Sequence, residues 1–409
     1  MIWFFFYFFW LFIAAVIREF WWFLVFIVLL KIVLNLRKKQ KEKVEKEKEE
    51  IKDWETFEII VNPLILQTPK AMEQVFNGFH ALEKGYLVLE IVGFNQEVHF
   101  FIHAPKGLKQ FLEAQFYAQY PDIEILPVKD YLSFLPPVLP NKDLDVWGAE
   151  IILDKPDQYP IRTYEYFEEP KEEKRIDPIA NLIESISNVS KQEIFVLQLI
   201  IKPLVKDKEK DFHQQATKEI NIKLGKKEKK VVTWQDWVFA FFRNLLIAVA
   251  TPPSWPGEEK TSEVTVSISS LSSIDKEIIE AINKKTSLLA FETGIRLCYV
   301  ASLDAFSENS IASFYAYFKQ FGIKYLNSFK INEETLPKVK SWFLKNRRLF
   351  LKKIKIYRAF KEKKLPQKAI VLNSQELATI YHLPLLKVKS PALVRGAFRK
   401  SEPPFNLPK

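Results

Sequence analysis

Two histidines four residues apart, one cysteine and a dense run of cations are the side chains from which chemistry could be built in this 409-residue chain. His99 and His103 lie in EVHFFIHA, whose alternation reads as a strand. There, four residues span about 13 Å, too far for one metal ion, so the pair reads as strand histidines. His80 and His382 fall on helical stretches with no ligand type beside them. Cys298 sits in the apolar run FETGIRLCYVASL and reads as core. Phosphates find no glycine cradle. Gly225-Lys226 is the only Gly-Lys pair, Ile220 stands where a P-loop needs its first glycine, and neither G-x-G-x-x-G nor G-x-S-x-G occurs. No catalytic residue, cofactor or metal is expected, and the chain reads as a non-enzyme.

The cations are more informative. Residues 337–368 carry thirteen Lys or Arg and one acid, Glu362, a net +12 that exceeds the +10 of the whole chain. Within 336–360, LPKVKSWFLKNRRLFLKKIKIYRAF, helical spacing places Val339, Trp342, Phe343, Leu349, Phe350, Ile354, Ile356, Tyr357 and Phe360 on one arc. Lys340, Lys345, Arg347, Arg348, Lys352, Lys355 and Arg358 fall on the opposite arc, while Lys353, Leu344 and Leu351 break the pattern. The basic arc faces water, an anionic membrane surface or nucleic-acid phosphates. With Trp and Tyr on the apolar arc, no stacking platform for bases is expected.

The elements that must position these residues read as α+β. Residues 54–132 follow the order βαββαβ of a ferredoxin-like unit. Strand 56–61 leads to a helix at 68–82 that starts at Thr68-Pro69 and buries Met72, Val75, Phe76, Phe79 and Leu82. A hairpin 86–93/97–104 turns at Phe94-Asn95-Gln96, and helix 107–120 and strand 122–128 complete the unit. The same order recurs over 145–335, as strand 145–154, helix 177–189, strand 193–204, strand 291–303, helix 308–321 and strand 323–331. The alike aromatic patterns of QFLEAQFYAQY and SIASFYAYFKQF support a duplication. The Pro-rich link LPPVLP (135–140) separates the copies. An insertion at about 205–290 holds a charged stretch, then the apolar Trp234–Ala250 helix, packed on the domain or lying on a membrane surface, and a Ser/Thr-rich loop.

Residues 1–36 are almost wholly apolar, with Arg18, Glu19 and Lys31 as interruptions. They read as a retained transmembrane anchor, one span or a hairpin of two. Arg37, Lys38, Lys39, Lys41 and Lys43 follow directly and predict a cytoplasmic remainder behind an inner-membrane span. Residues 37–53 mix both charges as a helical stalk or flexible tether.

TPKAMEQVF, QFYAQYPDIEI, LNSQELATIYHLP and SEPPFNLP together resemble the membrane-anchored N-terminal region of type IV secretion and conjugative DNA-transfer coupling ATPases, in the form found in candidate-phyla bacteria. In longer members the last two stretches lead into a P-loop motor. The resemblance implies a motor-less, membrane-anchored subunit that tethers a P-loop translocation ATPase. It implies a docking tail at 369–409, with Glu376, Leu377, His382, Pro384, Pro403, Pro404 and Asn406 as contact residues. The partners expected are the lipid bilayer and that ATPase, with DNA and a second copy of the chain as further candidates. The alternative is a membrane-surface scaffold, or a lipid- or nucleic-acid-binding protein working without a motor.

Overall fold

Period-two alternation sets the architecture. Along Leu87–Phe94 (β2), Glu193–Pro203 (β6) and Ala290–Ser302 (β7) nearly every residue is buried, so these strands need cover on both faces. The computed structural model describes residues 53–61, 67–82, 85–168, 176–188, 190–224, 271–339 and 342–384, with a few helical positions inside 26–35 and 237–244. The remaining strands are Trp54–Ile60 (β1), Glu97–Pro105 (β3), Glu124–Val128 (β4), Leu144–Leu153 (β5), Phe329–Ile331 (β8) and Ile370–Asn373 (β9). The helices are Pro69–Phe79 (α1), Lys109–Tyr117 (α2), Ala180–Ser187 (α3), Lys206–Lys223 (α4), Ser273–Thr286 (α5), Glu308–Lys319 (α6), Lys345–Lys361 (α7) and Ser374–Ile380 (α8).

The strands form one nine-stranded sheet in the order β4-β1-β3-β2-β6-β7-β5-β8, with β9 added to β7. Every pairing whose register is described is antiparallel. The β2–β3 hairpin closes on Asn95 and Gln96, both at positive φ (51° and 66°), as a two-residue hairpin turn of this hand requires. From either outer edge inward, the strands of each half run fourth, first, third, second, so the order is symmetrical about the β2–β6 seam. Seven residue pairs, from Leu87↔Ile201 to Gly93↔Phe195, close that seam.

This seam overturns the expected pair of small ferredoxin-like units behind a transmembrane helix. A free β2 edge would leave a row of backbone N–H and C=O groups unmet. Pairing it with β6 makes one continuous sheet over one core, and residues Glu55–Lys409 form a single compact unit. The anchor expected at 1–36 and the stalk at 37–53 lie almost wholly outside the described residues. Among the described residues no helix is long and apolar enough to cross a membrane. The expected transmembrane helix and single-pass inner-membrane placement are corrected accordingly.

The first face of the sheet is largely apolar. It carries Leu89, Ile91, Leu197, Leu199, Ile295 and Leu297, covered by α1, α2, α3, α6 and α8 side chains such as Phe76, Phe116, Ile183, Phe318 and Leu377. Val92, Phe101, Val146, Val196, Cys298 and Val300 face the other way, against Leu132, Leu135, Leu139, Tyr357 and Phe360. The Pro-rich link is therefore part of the second layer rather than a spacer. Helix α7 lies across β5 and β7, so close that a Cβ on Gly148 would meet the Ile356 side chain at 3.0 Å.

Two local expectations change. Helix α7 starts at Lys345 rather than 336, because Leu344 takes a left-handed conformation (φ 51°) and breaks the run. Helix α5 has no counterpart in the expected elements. Its signal is S-x-x-D: the Ser272 hydroxyl caps it by accepting from Asp275 N–H. Most of the apolar Trp234–Ala250 segment lies outside the described residues.

Candidate functional site

On the second face, alternation points four polar side chains inward from four neighbouring strands. Glu90 (β2), Gln198 (β6), Arg296 (β7) and Glu150 (β5) are cross-strand partners in turn. All are buried, with Arg296 at 1% exposure. Buried charge is costly unless it is paired and hydrogen-bonded. The row answers this internally. Gln198 Nε2 donates to Glu90 Oε1 at 2.8 Å, Arg296 Nη1 donates to Gln198 Oε1 at 2.7 Å, and Arg296 Nη2 donates to Glu150 Oε1 at 3.1 Å. Glu90 Oε2 also accepts from Tyr131 OH at 2.7 Å and lies 2.8 Å from His103 Nε2, whose Nδ1 meets Thr56 Oγ1 at 2.9 Å. Burial alone would raise the Glu90 pKa, but the His103 and Lys363 charges and the His103 and Gln198 hydrogen bonds outweigh it and hold it at about 2.

This row grips the C-terminal end of α7. Arg296 donates to the carbonyls of Ala359 (3.1 Å) and Lys364 (3.0 Å), and Gln198 to that of Phe360 (3.1 Å). Helix ends leave such carbonyls without intrahelical partners, so the Arg296 guanidinium beneath them suits the helix dipole. Further clamps hold the flank. Lys353 pairs with Asp145 and Lys363 with Asp130, both at 2.6 Å, and Tyr357 OH donates to Pro136 O at 2.6 Å.

Eleven of the thirteen cations, all but Lys338 and Lys340, thus divide into two groups. Lys352, Lys353, Lys361, Lys363, Lys364 and Lys368 bond to carbonyls or carboxylates of the chain itself. Lys345, Arg347, Arg348, Lys355 and Arg358 are exposed and carry no ion pair or side-chain hydrogen bond among the described residues. Of the expected basic face, Lys352 is thus tied down, donating to Leu336 O and Lys338 O, and Lys340 lies outside the described residues. Trp342 and Phe343 do not join the buried arc. They are 87% and 55% exposed and sit beside the free cations.

The described members of the expected tail contacts are not a surface. Glu376 and Leu377 are fully buried. The Glu376 carboxylate accepts from the Ile161 and Asn373 N–H groups and pairs with buried Lys285 at 3.0 Å. His382 bridges Ala378 O and Asp177 Oδ1, each at 2.8 Å, and Pro384 is buried. These four are corrected to interior residues: LNSQELATIYHLP forms β9 and α8, which complete the core. Pro403, Pro404 and Asn406 lie outside the described residues.

Two other chemistry-bearing residues are committed as well. His99 pairs with Glu58 at 2.7 Å, and burial pushes the Cys298 thiol up. Among the described residues no group of three or more His, Cys, Asp or Glu is placed to hold a metal ion. An open cleft of about 390 Å³ lies beside α5, lined by Thr163, Tyr166, Glu277, Lys284 and Lys285. Lys285 there is engaged by Glu376, and Lys284 by Glu165.

The model of a domain of unknown function, DUF8128, matches residues 33–394, most of the chain, so the chain belongs to that family. No curated protein matches. Among solved structures, a variant of the berberine bridge enzyme described as a reticuline dehydrogenase is similar. It is 10% identical, with 78% of this chain and 56% of that chain covered, at a TM-score of 0.24. This chain thus spans little more than half of that protein, and a likeness at that score carries no argument about fold or activity. Neither description names secretion, conjugation or DNA transfer, so neither supports those expected labels.

Proposed function

We propose that this member of the DUF8128 family is a non-catalytic platform that docks a nucleic-acid backbone on the outer face of α7. One observation carries the reading: five exposed cations, none in an ion pair or side-chain hydrogen bond among the described residues, stand on a helix whose opposite side is clamped to the sheet. Three of them, Lys345, Arg347 and Arg348, occupy the first helical turn, which holds no acid. Cations at that end oppose the helix dipole and weaken the helix, so the fold gains nothing from them. A polyanion that neutralises them does. A P-loop translocation ATPase, implied by the resemblance, is the partner proposed to supply hydrolysis.

Binding of the full chain to labelled DNA over a salt series tests the reading. Five phosphate contacts predict a slope of log K on log salt of roughly −3.5 to −4.5. K345E/R347E/R348E should lose binding and flatten the slope. Salt-independent binding, or full binding by the reversed variant, would remove nucleic acid from the proposal.

A further inference from the structure

The exposed rings beside the free cations have no role in backbone docking. Trp342 and Phe343 sit with centroids 6.1 Å apart and planes at 85°, forming an open aromatic corner. Had the helix run on from 336, helical spacing would have turned both rings toward the sheet with Ile356 and Phe360. The positive φ of Leu344 prevents this, and a tight turn, Lys345 N–H to Trp342 O at 3.4 Å, sets the rings just ahead of Lys345, Arg347 and Arg348. A bulky residue at positive φ costs of order 1–2 kcal/mol, so the sequence maintains this ejection at some expense to the fold. Leu344, Phe350 and Leu351 are also exposed and widen the apolar surface.

Charge alone favours a duplex, whose phosphates are denser than those of one strand. Aromatic faces reverse that preference. A duplex keeps its base faces stacked inside, whereas a single strand offers them to a ring while its backbone follows the cations. We propose that Trp342 and Phe343 make the α7 face selective for single-stranded nucleic acid by stacking on unpaired bases. The inference rests on the α7 docking reading above and specifies its substrate.

The full chain would be titrated against a labelled oligothymidylate, a duplex of equal length, and vesicles of phosphatidylglycerol with phosphatidylcholine. The wild type should bind the single strand more tightly than the duplex. W342A should weaken single-strand binding by roughly 5- to 150-fold, the range of one base–aromatic stack, and leave duplex binding unchanged. W342F should keep most of the affinity. Because Trp342 is 87% exposed, the melting temperature should not move. Equal single-strand binding by wild type and W342A overturns the inference and leaves the docking reading standing. No binding of either nucleic acid overturns both. Vesicle binding tighter than either nucleic acid, lost in W342A, also overturns both and assigns the surface to anionic lipid.

Discussion

Arg296 offers the two nitrogens of its guanidinium fork to four acceptors: Gln198, Glu150, Ala359 O and Lys364 O. Two of those acceptors are backbone carbonyls in the last turn of α7 and just beyond it, so the side chain joins the sheet to the basic helix. R296M should cost about 3–5 kcal/mol, the usual penalty for removing one partner from a buried charged network, read as a shift of the urea midpoint. Amide exchange in α7 should rise with it, and E150Q/R296M should recover part of the loss. Glu90 makes the row sensitive to acid. Its folded pKa of about 2 lies below the ordinary 4.5. A carboxyl depressed on folding contributes stability that is present above the unfolded value and is lost as pH falls through the folded one, here from about 4.5 toward 2. The contribution is about 3 kcal/mol. Melting temperature should therefore fall more steeply over that window in the wild type than in E90Q.

At the scale of elements, α7 is a helix with two jobs on two faces. Its C-terminal half packs Ile356, Tyr357 and Phe360 into the second layer, while its first turn presents uncompensated charge. Sequence periodicity made the helix amphipathic and set Lys353 off the basic arc, but it could not say which cations are bonded to the chain itself. Only distances separate Lys353, 2.6 Å from Asp145, from the free Arg347 and Arg348. If the first-turn cations serve a partner, then K345E/R347E/R348E should raise thermal stability by about 0.3–1 kcal/mol per site while abolishing DNA binding. Lower stability together with lost binding would point to a structural role for those residues.

For the whole molecule, the β2–β6 seam decides what can fold alone. A fragment of residues 54–132 carries its own helices but leaves the β2 edge open along the seven positions that β6 fills. Such an edge templates pairing with other chains. The fragment should self-associate, read by sedimentation, whereas Glu55–Lys409 should not do so through this edge. The final strand and helix tighten the same unit: β9 extends β7, and the buried Glu376–Lys285 pair ties α8 to α5. Deleting residues 369–409 would thus remove part of the core, so a docking test of the tail has to begin beyond Pro384.

Local signals carried much of the local structure. The alternation of EVHFFIHA gave β3, Asn95-Gln96 gave the hairpin, and the spacing of Met72, Val75, Phe76 and Phe79 gave α1. The cationic stretch was legible in the same way, because charge is a property of residues. What the chain order could not carry was pairing between residues distant in sequence. Whether β2 ends a unit or continues into β6, and whether Glu376 faces a partner or Lys285, are each set by contacts across dozens to hundreds of residues. Those contacts exist only once the strands have met, and the tertiary structure alone decided them.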